Sequence, residues 1–184
     1  NIDFAEKLIA EGADMIDVGG ESTRPGSFPV SEKEEVSRII PTIASLVKKV
    51  KVPISVDTYK ESVALEALGA GASIVNNIMG TGVTQSFLKN VKKFKAAIVL
   101  MHIRGTPQTM QKRIFYRNLM EEITEELDIA VERCLEAGLK SSQIIVDPGI
   151  GFGKTAEHNL EIIERLGELQ ALDQPILIGT SRKS

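Results

Sequence analysis

The sequence predicts an α/β fold in which helices cover a parallel sheet. Short apolar runs rich in β-branched residues alternate along the chain with longer segments of helical spacing. Ile144, Ile145 and Val146 form an uninterrupted apolar run, as expected of a strand that is buried on both faces. Such an alternation closes either as a doubly wound sheet or as a barrel of eight strands.

Six strands are predicted, and each ends where glycine or polar residues begin. Their ranges are 15–18, 52–56, 73–75, 96–101, 144–146 and 175–178. Gly149, Gly151 and Gly153 follow the fifth strand, but their spacing and late position differ from the dinucleotide-binding Gly-x-Gly-x-x-Gly pattern. The glycines therefore do not indicate a dinucleotide site.

Six helices are predicted, one before the first strand and one between each pair of consecutive strands, at residues 3–11, 32–50, 61–68, 85–95, 116–137 and 156–169. Ser31 and Glu34 have the spacing of a capping box at the start of the second helix. Gly12, Gly69 and Gly138 follow helical segments and are expected to end them.

The composition is that of a single ordinary domain over residues 1–184. The chain is 42% hydrophobic and 26% charged, which is enough for a sizeable core. Its net charge of −3 argues against a nucleic-acid partner. No apolar run is long enough to cross a membrane and no signal peptide is visible, so we expect a cytoplasmic protein. Cys134 is the only cysteine, which excludes an internal disulfide, and we expect it in the core.

Polar residues stand at or just beyond the ends of several predicted strands: Asp57, Asn76, Asp147 and Lys183. Arginines lie in the flanking loops at Arg24, Arg104 and Arg182. In a barrel these residues would meet at one face. Carboxylates, an amide and an ammonium suit the donor and acceptor edge of a flat heterocycle, and guanidinium groups suit a phosphate. The series favours an enzyme that acts on a small molecule.

Single positions in this series also have simpler interpretations. Asp147 has two interpretations, capping of the turn that follows it and recognition of a ligand. The loop around Arg24 could be an ordinary solvated turn. His102 could be a base or a metal ligand, but a hydrogen-bonded structural histidine is favoured because no second histidine is near in sequence.

Four stretches resemble the dihydropteroate synthase family: residues 19–26 (GGESTRPG), 55–58 (SVDT), 147–154 (DPGIGFGK) and 181–184 (SRKS). They occur in the order and spacing of that family, and the resemblance extends over the whole chain. It implies an eight-stranded barrel and a transferase of folate biosynthesis. This enzyme joins p-aminobenzoate to 6-hydroxymethyl-7,8-dihydropterin diphosphate and releases diphosphate. It further implies a homodimer and binding of sulfonamide inhibitors.

The resemblance also implies roles for individual residues. The pterin would be held by Asp57, Asn76, Asp147 and Lys183 and flanked by Ile78, Met101 and Gly179. The p-aminobenzoate would be bound by Thr23, Arg24, Pro25, Phe152 and Ser184. The catalytic residues would be Asp57, Lys183 and Arg24, and Mg²⁺ would assist the departure of diphosphate.

Two features depart from the family pattern. Asn76-Asn77 stands where the family usually has Asn-Asp, so one negative charge is missing. The family's first strand, with its Asn ligand for magnesium, is expected before residue 1, and its eighth strand after residue 184. The sequence therefore predicts an internal fragment of the barrel with about strands 2 to 7, and no metal ligand of its own.

Three other functions remain open from the sequence. A pterin-binding methyltransferase domain would share the barrel and the pterin-gripping carboxylates. A barrel aldolase could use Lys183 as a Schiff base. A non-catalytic pterin-binding module would bind its ligand without releasing diphosphate.

Overall fold

Strands and helices alternate throughout the chain, which a computed structural model describes at residues 2–23 and 27–180. The strands of these residues are β1 (Ile16–Gly19), β2 (Ile54–Asp57), β3 (Ile74–Asn77), β4 (Ala97–Met101) and β5 (Ile144–Asp147). Each pairs in parallel with the next, in the order β1-β2-β3-β4-β5. The predicted alternation around a parallel sheet is confirmed.

The helices are α1 (Ile2–Ala10), α2 (Glu32–Lys49), α3 (Glu61–Gly69), α4 (Gln85–Lys93), α5 (Leu119–Glu136) and α6 (Ala156–Glu164). Only one half of the predicted capping box of α2 is observed: the Ser31 hydroxyl accepts a hydrogen bond from the Glu34 N–H at 3.2 Å, while the Glu34 carboxylate pairs with Arg38. Short 3₁₀ segments occur at Gly80–Gly82, Ser141–Gln143 and Leu166–Leu172.

Two predicted elements differ from the structure. The sixth strand, predicted at 175–178, is reduced to a bridge between Val146 and Ile176. Only two hydrogen bonds join it to β5, from the Val146 N–H to the Pro175 carbonyl and from the Leu177 N–H to the Val146 carbonyl. The last predicted helix ends at Glu164 and continues as the 3₁₀ segment, which contains Gly167, a residue that weakens α-helix.

The main core lies between the sheet and the helices. β2 and β5 contribute Val56 and Val146, which are fully buried, and α5 contributes Leu127. Cys134 is also fully buried on α5, as predicted. Because all five strands run in the same direction, their carboxyl ends lie at one edge of the sheet, and the polar residues that follow them are brought together there.

Candidate active site

A cavity of about 260 Å³ opens at the carboxyl ends of the strands. Eight of the residues expected to bind ligands line it: Thr23, Asp57, Asn76, Ile78, Met101, Asp147, Phe152 and Gly179. The polar members come from separate strand ends, and Ile78, Met101 and Phe152 form apolar walls between them. The cavity thus offers hydrogen-bonding groups set in an apolar surface, the usual construction of a site for a flat organic ligand.

Strand register explains how Asp57 and Asn76 come together. Asp57 ends β2 and is paired with Asn76 of β3, so the two side chains stand next to each other. The Asn76 amide donates a hydrogen bond to Asp17 at 3.1 Å. Asp17 was missed by the sequence analysis, which considered the ends of strands and not the carboxylate inside the apolar run of β1. The cavity therefore contains one more carboxylate than predicted.

Further residues that the sequence analysis did not select line the cavity: Met15, Asp17, Ser55, Val99, Ile150 and Leu177. Most are apolar and belong to strands or to the segments next to them. Their strand-forming sequences indicated buried positions, but which of them face the cavity depends on the curvature of the sheet.

Asp147 both supports a turn and lines the cavity. Its Oδ1 accepts a hydrogen bond from the Gly149 N–H at 2.7 Å, which is the turn-capping role considered from the sequence. Gly149 has a φ of +70°, and a Cβ built there would lie 2.0 Å from the His102 carbonyl oxygen. The turn therefore requires glycine, and it holds Asp147, which is 5% exposed, at the cavity wall.

Behind this wall, a polar network joins the loops that follow β4 and β5. The buried Lys154 ammonium contacts His102 Nδ1 at 2.9 Å and donates to the Phe152 carbonyl at 3.0 Å. Burial lowers the pKa of His102 to about 4, so its ring is neutral and Nδ1 accepts while Nε2–H faces Glu126 at 3.1 Å. Hydrogen bonds from His102 and Arg104 lower the pKa of Glu126 to about 2. His102 is thus a hydrogen-bonded structural histidine, as favoured from the sequence.

Arg104 is paired with carboxylates of the chain itself. Its guanidinium pairs with Glu126 and Glu122, lies over the Tyr116 ring at 4.2 Å and donates to the Phe115 carbonyl at 3.1 Å. The two glutamates lie one turn apart on α5, so they reach the same guanidinium. The sequence of the loop alone does not show this pairing, because the partners lie on the helix that packs on it, and a phosphate contact of Arg104 stays a prediction.

The model of the family "Pterin binding enzyme" matches residues 1–184. The chain belongs to the pterin-binding enzyme family. It is 44% identical over 183 residues to a dihydropteroate synthase of Clostridium beijerinckii, covering 100% of this chain and 65% of that protein. A dihydropteroate synthase of Synechocystis is 46% identical over 180 residues, covering 98% of this chain and 62% of that one.

Solved structures of pterin-binding enzymes superpose closely on the chain. A Yersinia pestis dihydropteroate synthase in a sulfonamide drug complex gives a TM-score of 0.94 at 38% identity, covering 100% of this chain and 68% of that one. A Thermus thermophilus dihydropteroate synthase in complex with 4-aminobenzoate gives 0.91 at 40% identity, with 99% and 68% covered. The five parallel strands are therefore part of a (β/α)8 barrel, and the chain spans somewhat less than two thirds of the length of the first relatives.

Asn77, the departure from the family pattern, is not among the residues that line the cavity. Asn77 is 2% exposed, and its side-chain oxygen accepts a hydrogen bond from the Met79 N–H at 2.9 Å. This bond caps the turn after β3, which an asparagine oxygen and a carboxylate oxygen can do equally. Arg24, Pro25, Lys183 and Ser184 lie outside the described residues, so their predicted roles stay predictions.

Proposed function

We propose that the protein is a dihydropteroate synthase, which condenses p-aminobenzoate with 6-hydroxymethyl-7,8-dihydropterin diphosphate and releases diphosphate. The observation that carries the proposal is the single cavity that brings Asp57, Asn76 and Asp147 together between apolar walls. The matching family and the names of the relatives support the same activity. Membership of the family alone would also be compatible with other pterin chemistry, so the acceptor has to be tested directly.

In the proposed reaction, the cavity binds the pterin ring edge-on to Asp57, Asn76 and Asp147, with Ile78 and Met101 against its faces. The bond between the methylene carbon and the diphosphate oxygen breaks, and the arylamine nitrogen forms a bond to the same carbon and loses a proton. Positive charge develops on the methylene and ring as diphosphate departs. A nearby ionised Asp57 would stabilise that charge electrostatically.

The acceptor is expected to be held by Thr23 and Phe152, which line the same cavity, together with Arg24, Pro25 and Ser184. A weakly basic arylamine needs correct placement more than activation by a base. Exclusion of water matters as well, because water would capture the electron-poor carbon. Arg24 and Lys183 complete the proposed catalytic set.

Magnesium is part of the proposal, without an assigned ligand. Within residues 2–23 and 27–180, no group of three His, Cys, Asp or Glu side chains could hold a metal ion. Mg²⁺ bound by diphosphate would neutralise the leaving charge, and it is usually bound through substrate phosphates and one or two carboxylates. Activity that is unaffected by excess EDTA would remove magnesium from the proposal.

The wider biological properties are also proposals. None of the helices in the described part of the chain could cross a membrane. We propose a cytoplasmic homodimer that binds sulfonamide inhibitors in competition with p-aminobenzoate. The Yersinia pestis relative in a sulfonamide complex supports the inhibitor class. Light scattering of the purified protein and inhibition kinetics test the dimer and the competition.

The decisive experiment measures diphosphate release from the dihydropterin diphosphate with and without p-aminobenzoate. It should use the protein expressed from its complete natural reading frame. We expect release coupled to formation of dihydropteroate, and a strong loss of turnover in Asp57→Asn. Asp128→Asn, which changes an exposed carboxylate on α5, is the matched control and should leave turnover unchanged. Pterin binding without product would instead favour a methyltransferase-like or non-catalytic pterin module.

A further inference from the structure

A cluster of charged side chains lies beside the cavity, at the base of the segment that follows β1. We call it the lysine clamp; it consists of Glu21, Val30, Glu35, Tyr59 and Lys60. The Lys60 ammonium donates to Glu21 at 2.5 Å, to Glu35 at 2.6 Å and to the Val30 carbonyl at 2.7 Å. One ammonium therefore joins three separate parts of the chain.

The lysine clamp is largely buried and yet charged. The side chains of Lys60, Glu21 and Glu35 are 11%, 5% and 1% exposed. Burial opposes the charge on Lys60, but hydrogen bonds to Glu21 and Glu35 outweigh it and raise the pKa of Lys60. Burial likewise opposes the charge on Glu21, but hydrogen bonds from Lys60 and Tyr59 lower its pKa. An ionised, desolvated cluster of this kind holds its members in fixed directions.

Both oxygens of Glu21 have defined donors. The Tyr59 hydroxyl donates to Oε1 at 2.8 Å, and the Val30 N–H donates to Oε2 at 2.8 Å, beside the bond from Lys60. Glu21 follows β1 by two residues and Val30 precedes Ser31, the N-cap of α2. The lysine clamp thus fastens Glu21 and Val30 to each other.

The same clamp reaches the cavity from two sides. Thr23, two residues after Glu21, lines the cavity. On the other side, the Lys60 N–H donates to Thr58 Oγ1 at 3.2 Å, and Thr58 directly follows Asp57. The backbone links Thr23 to Glu21, and hydrogen bonds then lead from Glu21 through Lys60 to Thr58, the residue next to Asp57.

We propose that Lys60 is a positioning residue for the acceptor amine. By fastening Glu21, Lys60 holds Thr23 at a set distance from Asp57. This inference rests on the proposed function, because the acceptor site is part of that proposal. An apolar residue of similar size could fill the same volume. Only a donor with three bonds in different directions fixes the orientation of both ends of segment 21–30.

The test compares Lys60→Met and Lys60→Arg with Lys89→Met, which removes an exposed lysine of α4, in the protein from its complete reading frame. We expect Lys60→Met to raise KM for p-aminobenzoate about tenfold, with little change in KM for the dihydropterin diphosphate, because a misplaced contact acts on the ligand it holds. Lys60→Arg should restore part of the affinity. Lys89→Met should leave both constants unchanged.

Hydrogen exchange gives a readout that does not depend on activity. We expect faster exchange of the Val30 amide and of residues 21–23 in Lys60→Met, with unchanged exchange in β5. Unchanged exchange of the Val30 amide and of residues 21–23 would overturn the positioning role whether or not the protein makes dihydropteroate. An active wild type with an unaltered KM for p-aminobenzoate in Lys60→Met would overturn it too, whereas an inactive wild type would overturn the proposed function instead.

Tyr59→Phe covers the case in which Lys60→Met does not fold. It removes one hydrogen bond to Glu21 and leaves the ammonium in place. We expect a smaller increase in KM for p-aminobenzoate than in Lys60→Met, again with little change for the pterin substrate. An unaltered KM for p-aminobenzoate in a folded Tyr59→Phe protein would overturn the proposal.

Discussion

Lys60 and Lys154 both place a largely buried ammonium beside the candidate active site, but their surroundings differ. Lys60 contacts two carboxylates, and hydrogen bonds to Glu21 and Glu35 outweigh burial and raise its pKa. Lys154 is 3% exposed and contacts a neutral imidazole and two backbone carbonyls. Burial lowers the pKa of Lys154 to about 7.

The difference shows that burial alone does not decide the charge of a lysine. Asp147 and Glu126 act on Lys154 electrostatically and oppose the effect of burial, but no hydrogen bond to them offsets it. At Lys60 the carboxylates are direct hydrogen-bond partners. The stability of the Lys60 region therefore depends on the charge of the ammonium, while that of the Lys154 region depends on the hydrogen bonds that Lys154 donates to carbonyls.

Lys60→Met should cause a larger loss of stability than Lys154→Met. It leaves Glu21 and Glu35 buried without their counter-charge, and breaking a buried ion pair costs about 3–5 kcal/mol. Urea denaturation of the complete protein measures the free energy of unfolding. Combining Lys60→Met with Glu35→Gln should recover part of the loss, and a double variant no more stable than Lys60→Met would contradict the role of charge.

Lys154→Met should cost less than Lys60→Met. It leaves His102 Nδ1 and the carbonyls of His102 and Phe152 without this donor, at about 1–3 kcal/mol for each acceptor that stays unsatisfied, but it also removes a charge that burial disfavours. The same denaturation experiment ranks the two variants. A Lys154→Met protein less stable than Lys60→Met would reverse the comparison.

The two lysines should also differ in their dependence on pH. The pKa of Lys154 is lowered from 10.5 to about 7, so between these values the unfolded chain binds more protons and stability rises with pH. The slope approaches ~1.4 kcal/mol per pH unit. Because the pKa of Lys60 is raised, the contribution of Lys60 to stability is fully present below pH 10.5 and is lost only as the pH rises further. Lys154→Met should flatten the rise in stability above pH 7, and Lys60→Arg should keep it. A rise in Lys154→Met equal to that of the wild type would refute the assignment of the pH dependence to Lys154.

The smallest expected changes in stability come from one tyrosine in each region. The Tyr59 hydroxyl donates to the Glu21 carboxylate at 2.8 Å, and the Tyr116 hydroxyl donates to the Gly153 carbonyl at 3.1 Å. A bond to a charged acceptor contributes more, so Tyr59→Phe should cost about 1.5 kcal/mol or more and Tyr116→Phe about 0.5–1.5 kcal/mol. Thermal unfolding of both variants measures the difference, and equal losses would show that the charge of Glu21 adds nothing.

The order of strands and helices could be predicted because it depends on local periodicity. The strand ends that carry Asp57, Asn76 and Asp147 were located for the same reason, and parallel strands then bring them to one edge. The single bridge at Ile176 could not be predicted, because an apolar sequence does not show how many hydrogen bonds its neighbour will form. Asp17 was overlooked although the sequence offered a signal, a carboxylate within an apolar strand.

Local sequence patterns are enough to predict the α/β architecture, the resemblance to the family and the polar residues at the strand ends. Which charges neutralise one another follows from the packing of distant segments. Lys60 and Glu21 are 39 residues apart in sequence, and Lys154 and His102 are 52 apart. Arg104, one of the arginines considered for a phosphate, pairs with Glu122 and Glu126 of a helix that packs on its loop. Pairing of this kind depends on distances in space, which local sequence patterns do not encode.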